Sequence, residues 1–298
     1  MRIVKGMVFC EDGVFRPLEL EISGAQIAAI RPETATPSGQ ILDAAGCYVV
    51  PGFVDIHIHG AMGADFSDGK PEGFSAMAEF LLRQGVTSFL GTSMALPEER
   101  LSTVFSAART YMEQAGQKGA ALRGIHMEGP FFSPEKRGAQ NPEYIILPDY
   151  AMFERLLVAS GNNIRVIAVA PELEGGLEFI QRASQVVNVS LGHTCADFVT
   201  AQAAFVRGAN HVTHAFNGMS AFHHRDPGVI GAAIGTGAYV EAICDGVHLH
   251  PAVIRALFAL FGDDHVCLIS DAMRACGMPP GQYDLGGQLV TVANGAAT

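Results

Sequence analysis

The chain has 298 residues, of which 49% are hydrophobic and 16% charged, enough for one large α/β domain with an appendage and too apolar for a disordered chain. A formal net charge of −11 argues against a nucleic-acid partner and requires any anionic substrate to find a local cationic group. The six cysteines are scattered without a Cys-x-x-Cys pair, no apolar run reaches bilayer length, and Met1–Gly6 lacks a signal-peptide core, so the expectation is a reduced cytoplasmic protein with no membrane partner.

From Met1 to about Tyr48 the text is that of short strands. Ile3, Val4, Met7, Val8 and Phe9 lead into the turn Glu11-Asp12-Gly13. Leu18, Leu20 and Ile22 alternate with charged residues, and Ser23-Gly24 turns the chain into Gln26–Ile30. A small β domain over residues 1–50 is expected. Next comes Pro51-Gly52-Phe53-Val54-Asp55-Ile56-His57-Ile58-His59-Gly60. On a strand alternate side chains share a face, so His57 and His59 point one way while Val54, Ile56 and Ile58 point the other. Two imidazoles side by side suit a divalent metal, although a pair alone does not close a site.

Beyond Gly60 strands and helices alternate. Phe74, Met77, Ala78, Leu81 and Leu82 have helical spacing ended by Gln84-Gly85, and Val86–Leu90 is a strand. A helix from Glu98 to about Ala115 precedes the strand Leu122–Glu128, and Tyr150–Ala159 precedes Ile164–Val169. The helix Leu173–Ala183 precedes the strand Val186–Leu191, and the helix Ala196–Arg207 precedes Asn210–His214. Tyr239–Ile243, the helix Pro251–Phe261 and His265–Ser270 follow. Counted from Phe53 this makes eight strands, and the repeated strand–helix unit predicts a (β/α)₈ barrel over residues 51–298.

Such a barrel works at the C-terminal ends of its strands. There the sequence places His57 and His59, then Glu128, His193, His214 and Asp271. This alignment of metal-type ligands with strand ends points to a metal-dependent hydrolase, with a barrel kept only as a scaffold as the other reading. His126 shares a strand face with Glu128 and is expected to orient a ligand from behind. His211 lies three residues before His214, on the opposite face, and reads as a packing residue. His223 and His224 sit in the polar loop Ser220–Pro227 and read as exposed.

The motifs His126-Met127-Glu128-Gly129-Pro130-Phe131, Gly192-His193-Thr194, Thr213-His214-Ala215-Phe216-Asn217-Gly218-Met219, Asp245-Gly246-Val247-His248 and Ser270-Asp271-Ala272 occur in one order along nearly the whole chain. With the His-x-His strand they resemble the N-acetylglucosamine-6-phosphate deacetylase group of the amidohydrolase superfamily. The resemblance implies Glu128, His193 and His214 as ligands of the main metal, and a second ion on His57 and His59 bridged by Glu128. It implies Asp271 as the catalytic acid–base, with an N-cap or a metal ligand as its other readings. It further implies substrate contacts at Ala139, Gln140, Asn217, Gly218, Arg225 and His248. Zinc, iron(II) or manganese would serve as the ion. The implied substrate is an amino-sugar phosphate, the glucosamine derivative or its galactosamine epimer, and the implied assembly is a homodimer that lends Arg225 across the interface. Gln140 stands where some members have a histidine. Members also continue past the region of Gly286–Val292 with a substrate loop, the eighth helix and further strands of the small domain. A small β-sandwich left incomplete, a barrel lacking its last helix and impaired activity are therefore expected of a chain stopping at Thr298.

Overall fold

The computed structural model describes residues 1–33, 39–114, 118–293 and 295–297, so Ala115, where a helix was expected to end, and Thr298 lie outside the described residues. By internal contacts the chain divides into Met1–Phe53 and Val54–Thr298.

The first unit is one sheet. Its strands are β1 (Arg2–Val4), β2 (Met7–Phe9), β3 (Phe15–Ser23), β4 (Gln26–Pro32), β5 (Ile41–Asp43) and β6 (Tyr48–Val49). The long β3 pairs antiparallel with β1, β2 and β4, while β5 and β6 add parallel edges. Glu19, fully buried on β3, is held by Arg2 and by Arg31 Nε at 2.7 Å, so its charge is paired rather than stranded.

The second unit opens within β7 (Phe53–Ile58), followed by a short ribbon, β8 (Gly60–Ala61) and β9 (Ala64–Asp65). Strands β10 (Val86–Ser93), β11 (Ala121–Glu128), β12 (Ile164–Val169), β13 (Asn188–Leu191), β14 (His211–Val212), β15 (Tyr239–Ile243) and β16 (Val266–Ile269) follow. With β7 they form an eight-stranded sheet in sequence order, its ladders parallel. The expected barrel is thus present. Its seam between β16 and β7 is bridged by side chain and loop. Asp55 accepts from Ser270 Oγ at 2.5 Å, Asp271 N–H donates to the His57 carbonyl at 2.9 Å, and Ala272 O accepts from His59 N–H at 2.9 Å.

The helices are α1 (Pro71–Arg83), α2 (Glu98–Glu113), α3 (Tyr150–Ala159), α4 (Gly176–Ala183), α5 (Phe198–Val206), α6 (Gly228–Ala233) and α7 (Pro251–Phe261). In α1 the buried Phe74, Met77, Ala78 and Leu81 form one stripe facing the sheet. Three of the boundaries that differ from expectation do so for local reasons. Helix α4 starts at Gly176 because Gly175 is left-handed. Helix α5 starts at Phe198 because Asp197 caps it, accepting from Thr200 N–H at 2.8 Å. Strand β13 starts at Asn188 because the N–H groups of Val186 and Val187 still turn back to the Ala183 carbonyl, at 3.0 Å each. A C-terminal hairpin, β17 (Gly281–Leu285) with β18 (Gln288–Ala293), extended by β19 (Ala296–Ala297), was not expected. Its signal was the Gly286-Gly287 pair, whose φ angles of 62° and 88° make the two-residue turn.

Candidate metal centre

The barrel delivers six ionisable side chains to one point. Glu128 is the last residue of β11, and His59 follows the end of β7. His193, His214 and Asp271 each lie two residues past β13, β14 and β16, where the backbone turns left-handed with φ of 48°, 26° and 46°. Such conformations cost non-glycine residues energy and persist where the surroundings over-determine them. Gly218 packs directly above this layer. A Cβ there would crowd His193 Nδ1 at 3.2 Å, and its φ of 59° strains any residue but glycine.

Hydrogen bonds on the far side of each ring set where its proton sits. His193 Nδ1 lies 2.8 Å from the Lys136 carbonyl, and His214 Nδ1 lies 3.1 Å from the Asn217 carbonyl. A carbonyl only accepts, so each Nδ1 carries hydrogen and each Nε2 presents a lone pair when the ring is neutral. Those two Nε2 atoms are 3.1 Å apart, and they stand 3.1 Å and 3.0 Å from Glu128 Oε1. With both rings neutral, three acceptors face one another, an arrangement that a bound cation relieves. The other Glu128 oxygen, Oε2, accepts from Gln140 Nε2 at 2.9 Å and faces His59 Nε2 at 3.2 Å.

The second half is built on β7. His57 is fully buried and gives Nδ1 to Glu241 Oε2 at 2.8 Å. Its Nε2 has no hydrogen-bond partner, yet lies 3.3 Å from Asp271 Oδ1 and 3.5 Å from Glu128 Oε1. His59 Nε2 is likewise 3.3 Å from Asp271 Oδ1. Glu128 thus stands between the groups His57–His59 and His193–His214, and each group with Glu128 has the donor set and proximity of a divalent-ion site. Burial alone would raise the Glu128 and Asp271 carboxyls, but the imidazoles around them hold both well below the usual range. Burial alone would lower His59, but Asp271 and Glu128 push it up to about 10.

Behind this layer, His126 Nδ1 approaches the Ile56 carbonyl at 3.2 Å and its ring meets that of His57 edge-on at 4.5 Å. Burial, with His57 beside it, pushes His126 down to about 3. His211 does more than pack, since its Nε2 bonds Glu241 Oε1 at 3.0 Å. Glu241 escaped the sequence reading altogether. Its signal was a single acid inside the apolar run Tyr239–Ile243.

A cavity of about 700 Å³ opens above the centre, reached by His59, Glu128, His193, His214 and Asp271. Ala139, Gln140, Asn217, Gly218 and His248 also line it. The Gln140 amide is already engaged, because its Oε1 accepts from Ala95 N–H at 2.8 Å while its Nε2 holds Glu128. His248 is oriented by Asp245, Nδ1 to Oδ2 at 2.7 Å. Leu285, Val290 and Val292 of the unforeseen hairpin give an apolar wall. No lysine or arginine is among the described lining residues, and Arg225 is exposed outside the cavity with His223 and His224.

The amidohydrolase family profile matches residues 48–279. An N-acetylglucosamine-6-phosphate deacetylase of Bacillus subtilis (strain 168) is 37% identical over 291 residues, covering 96% of this chain and 74% of that protein. An N-acetylgalactosamine-6-phosphate deacetylase of Escherichia coli O157:H7 is 36% identical over 289 residues, with coverages of 96% and 74%. Among solved structures, N-acetyl-D-glucosamine-6-phosphate deacetylase from Mycobacterium smegmatis superposes with a TM-score of 0.92 at 32% identity, covering 100% of this chain and 78% of that one.

Proposed function

The chain belongs to the amidohydrolase family of metal-dependent hydrolases, and from that premise we propose that it hydrolyses the acetamide of N-acetyl-D-glucosamine 6-phosphate to D-glucosamine 6-phosphate and acetate. The observation that carries this reading is the convergence of His193 Nε2, His214 Nε2 and Glu128 Oε1 within 3.1 Å of one another at the floor of a sugar-sized cavity.

Glu128, His193 and His214 would hold the main ion, and His57 and His59, with Glu128 between the pairs, a second. Zinc or iron(II) suits imidazole with carboxylate, and manganese is the harder alternative. Such an ion, when bound, lowers the pKa of water toward neutrality and polarises a carbonyl. Asp271 then serves as the proton carrier: held anionic beside His57 and His59, it accepts a proton from water and returns it to the departing amine. Gln140 keeps Glu128 oriented and stays engaged there. Asn217, Ala139 and Gly218 border the sugar, and His248 offers a ring held by Asp245 to a hydroxyl or phosphate oxygen.

The phosphate dianion needs a cation, and the described cavity wall has no lysine or arginine. Arg225, projecting from its own barrel, fits a role across a two-fold dimer. The reduced cysteines, all unpaired, suit a cytoplasmic setting. Among the described residues no helix is long and apolar enough to cross a membrane.

The test is acetate release from both N-acetylhexosamine 6-phosphates by protein of measured metal content. Metal-loaded protein should act on the glucosamine derivative. Release from neither sugar by metal-loaded protein would sink the proposal.

A further inference from the structure

Four atoms converge on a carboxylate that the proposed chemistry does not use. Glu241 is fully buried on β15. Its Oε2 accepts from His57 Nδ1 at 2.8 Å and from the His214 backbone N–H at 3.0 Å, and its Oε1 meets His211 Nε2 at 3.0 Å, with His126 Nδ1 3.7 Å away. A buried carboxylate is costly unless its lone pairs are occupied, and here each oxygen is. The imidazoles of the two halves are fixed differently. His193 and His214 lean on backbone carbonyls, which no substitution removes. His57 leans on a side chain, and that side chain carries a full charge.

We propose that Glu241 is the positioning residue of the second metal position, its charge behind Nδ1 strengthening the Nε2 lone pair that His57 turns toward Glu128 and Asp271, so that two-ion occupancy of this centre depends on a carboxylate that touches neither ion. The inference rests on the proposed reading of the centre. Carboxylates behind metal-bound imidazoles fix ring orientation and raise donor strength, and their loss typically costs 10–100-fold in metal affinity. By holding the His214 N–H as well, Glu241 ties the two halves together through the left-handed turn at that residue.

The test uses Glu241→Gln in the full chain. A glutamine can set its carbonyl oxygen against His57 and His214 and its NH₂ against His211, which keeps the packing and removes the charge. Zinc and cobalt(II) are titrated into chelator-treated protein, with stoichiometry from elemental analysis and site identity from cobalt absorption. The wild type should take up two equivalents. In Glu241→Gln the first should bind with unchanged affinity and spectrum, and the second about 10–100-fold more weakly. In a His57→Asn background the same change should have no further effect on cobalt binding. Unchanged affinity for the second equivalent overturns the inference, and so does equal weakening of both or a further loss in the His57→Asn background. A wild type that binds only the first equivalent also overturns it, whereas one that binds no ion brings down the underlying reading of the centre as well.

Discussion

The two halves of the proposed centre present the same side-chain type but are supported in opposite ways. Just past β13 and β14 the rings are steered by backbone carbonyls, Lys136 O for His193 and Asn217 O for His214. On β7, His57 is steered by the Glu241 carboxylate, and His59 Nδ1 is buried with no hydrogen-bond partner. A ligand held by backbone inherits the rigidity of the fold, whereas one held by a side chain can be tuned or lost by a single substitution. The first half is therefore expected to hold its ion tightly, and the second conditionally.

Glu128 lies between the halves, so its removal gives the largest expected effect. Glu128→Ala should abolish uptake of both ions, and activity should fall to background, read by elemental analysis beside the acetate assay. Full retention of one ion would mean the halves are independent. Next is Asp271→Asn, which preserves size and accepts no proton. It should lower kcat by roughly 10²–10⁴ while metal content and substrate affinity survive. Near-normal turnover would move the proton carrier elsewhere.

A smaller effect is expected at Arg225. Arg225→Ala should raise KM for the phosphorylated sugar by about 10–100-fold, the scale of one charge-assisted contact, and leave an unphosphorylated substrate little changed. Mixing Arg225→Ala with Asp271→Asn should regain activity, because the second subunit still donates its arginine. A mixture no better than the sum of its parts, despite subunit exchange, would exclude a role in trans.

The smallest effect is a dependence on pH. His59 sits at about 10 against an ordinary 6.5, because Asp271 and Glu128 outweigh the lowering by burial. In metal-free protein its proton stabilises the fold fully below pH 6.5, and that contribution is lost as pH rises toward about 10. Chelator-treated protein should therefore lose a few degrees of Tm across that interval, and metal-loaded protein should not. Metal binding near pH 7 should correspondingly release protons, measurable by calorimetry in buffers of different ionisation enthalpy.

The fold was legible because apolar strand text recurs with helical text between, and the cluster proposed as ligands was legible because histidines and acids stand at the strands' ends. What stayed hidden depends on closure. Glu241 sits mid-strand in apolar surroundings, and only the closed barrel brings His57, 184 positions away in sequence, to its oxygen. Gln140 was expected as a substrate contact; it lines the cavity, and its amide also spans Glu128 and Ala95. That pairing is set by a loop conformation with no period to read. Likewise the hairpin after Gly281 carries its meaning in which wall of the cavity it covers.

The left-handed turns at His193, His214 and Asp271 also narrow the mutational paths open to this centre. Asparagine and glycine enter such a conformation with little strain, while β-branched residues scarcely do. At position 271, Asp271→Asn should remain as well folded as the parent and nearly inert. Asp271→Val should cost stability in addition to chemistry. At these three turns, single changes to asparagine are therefore expected to spare the fold while removing chemistry, and changes to β-branched residues to cost both.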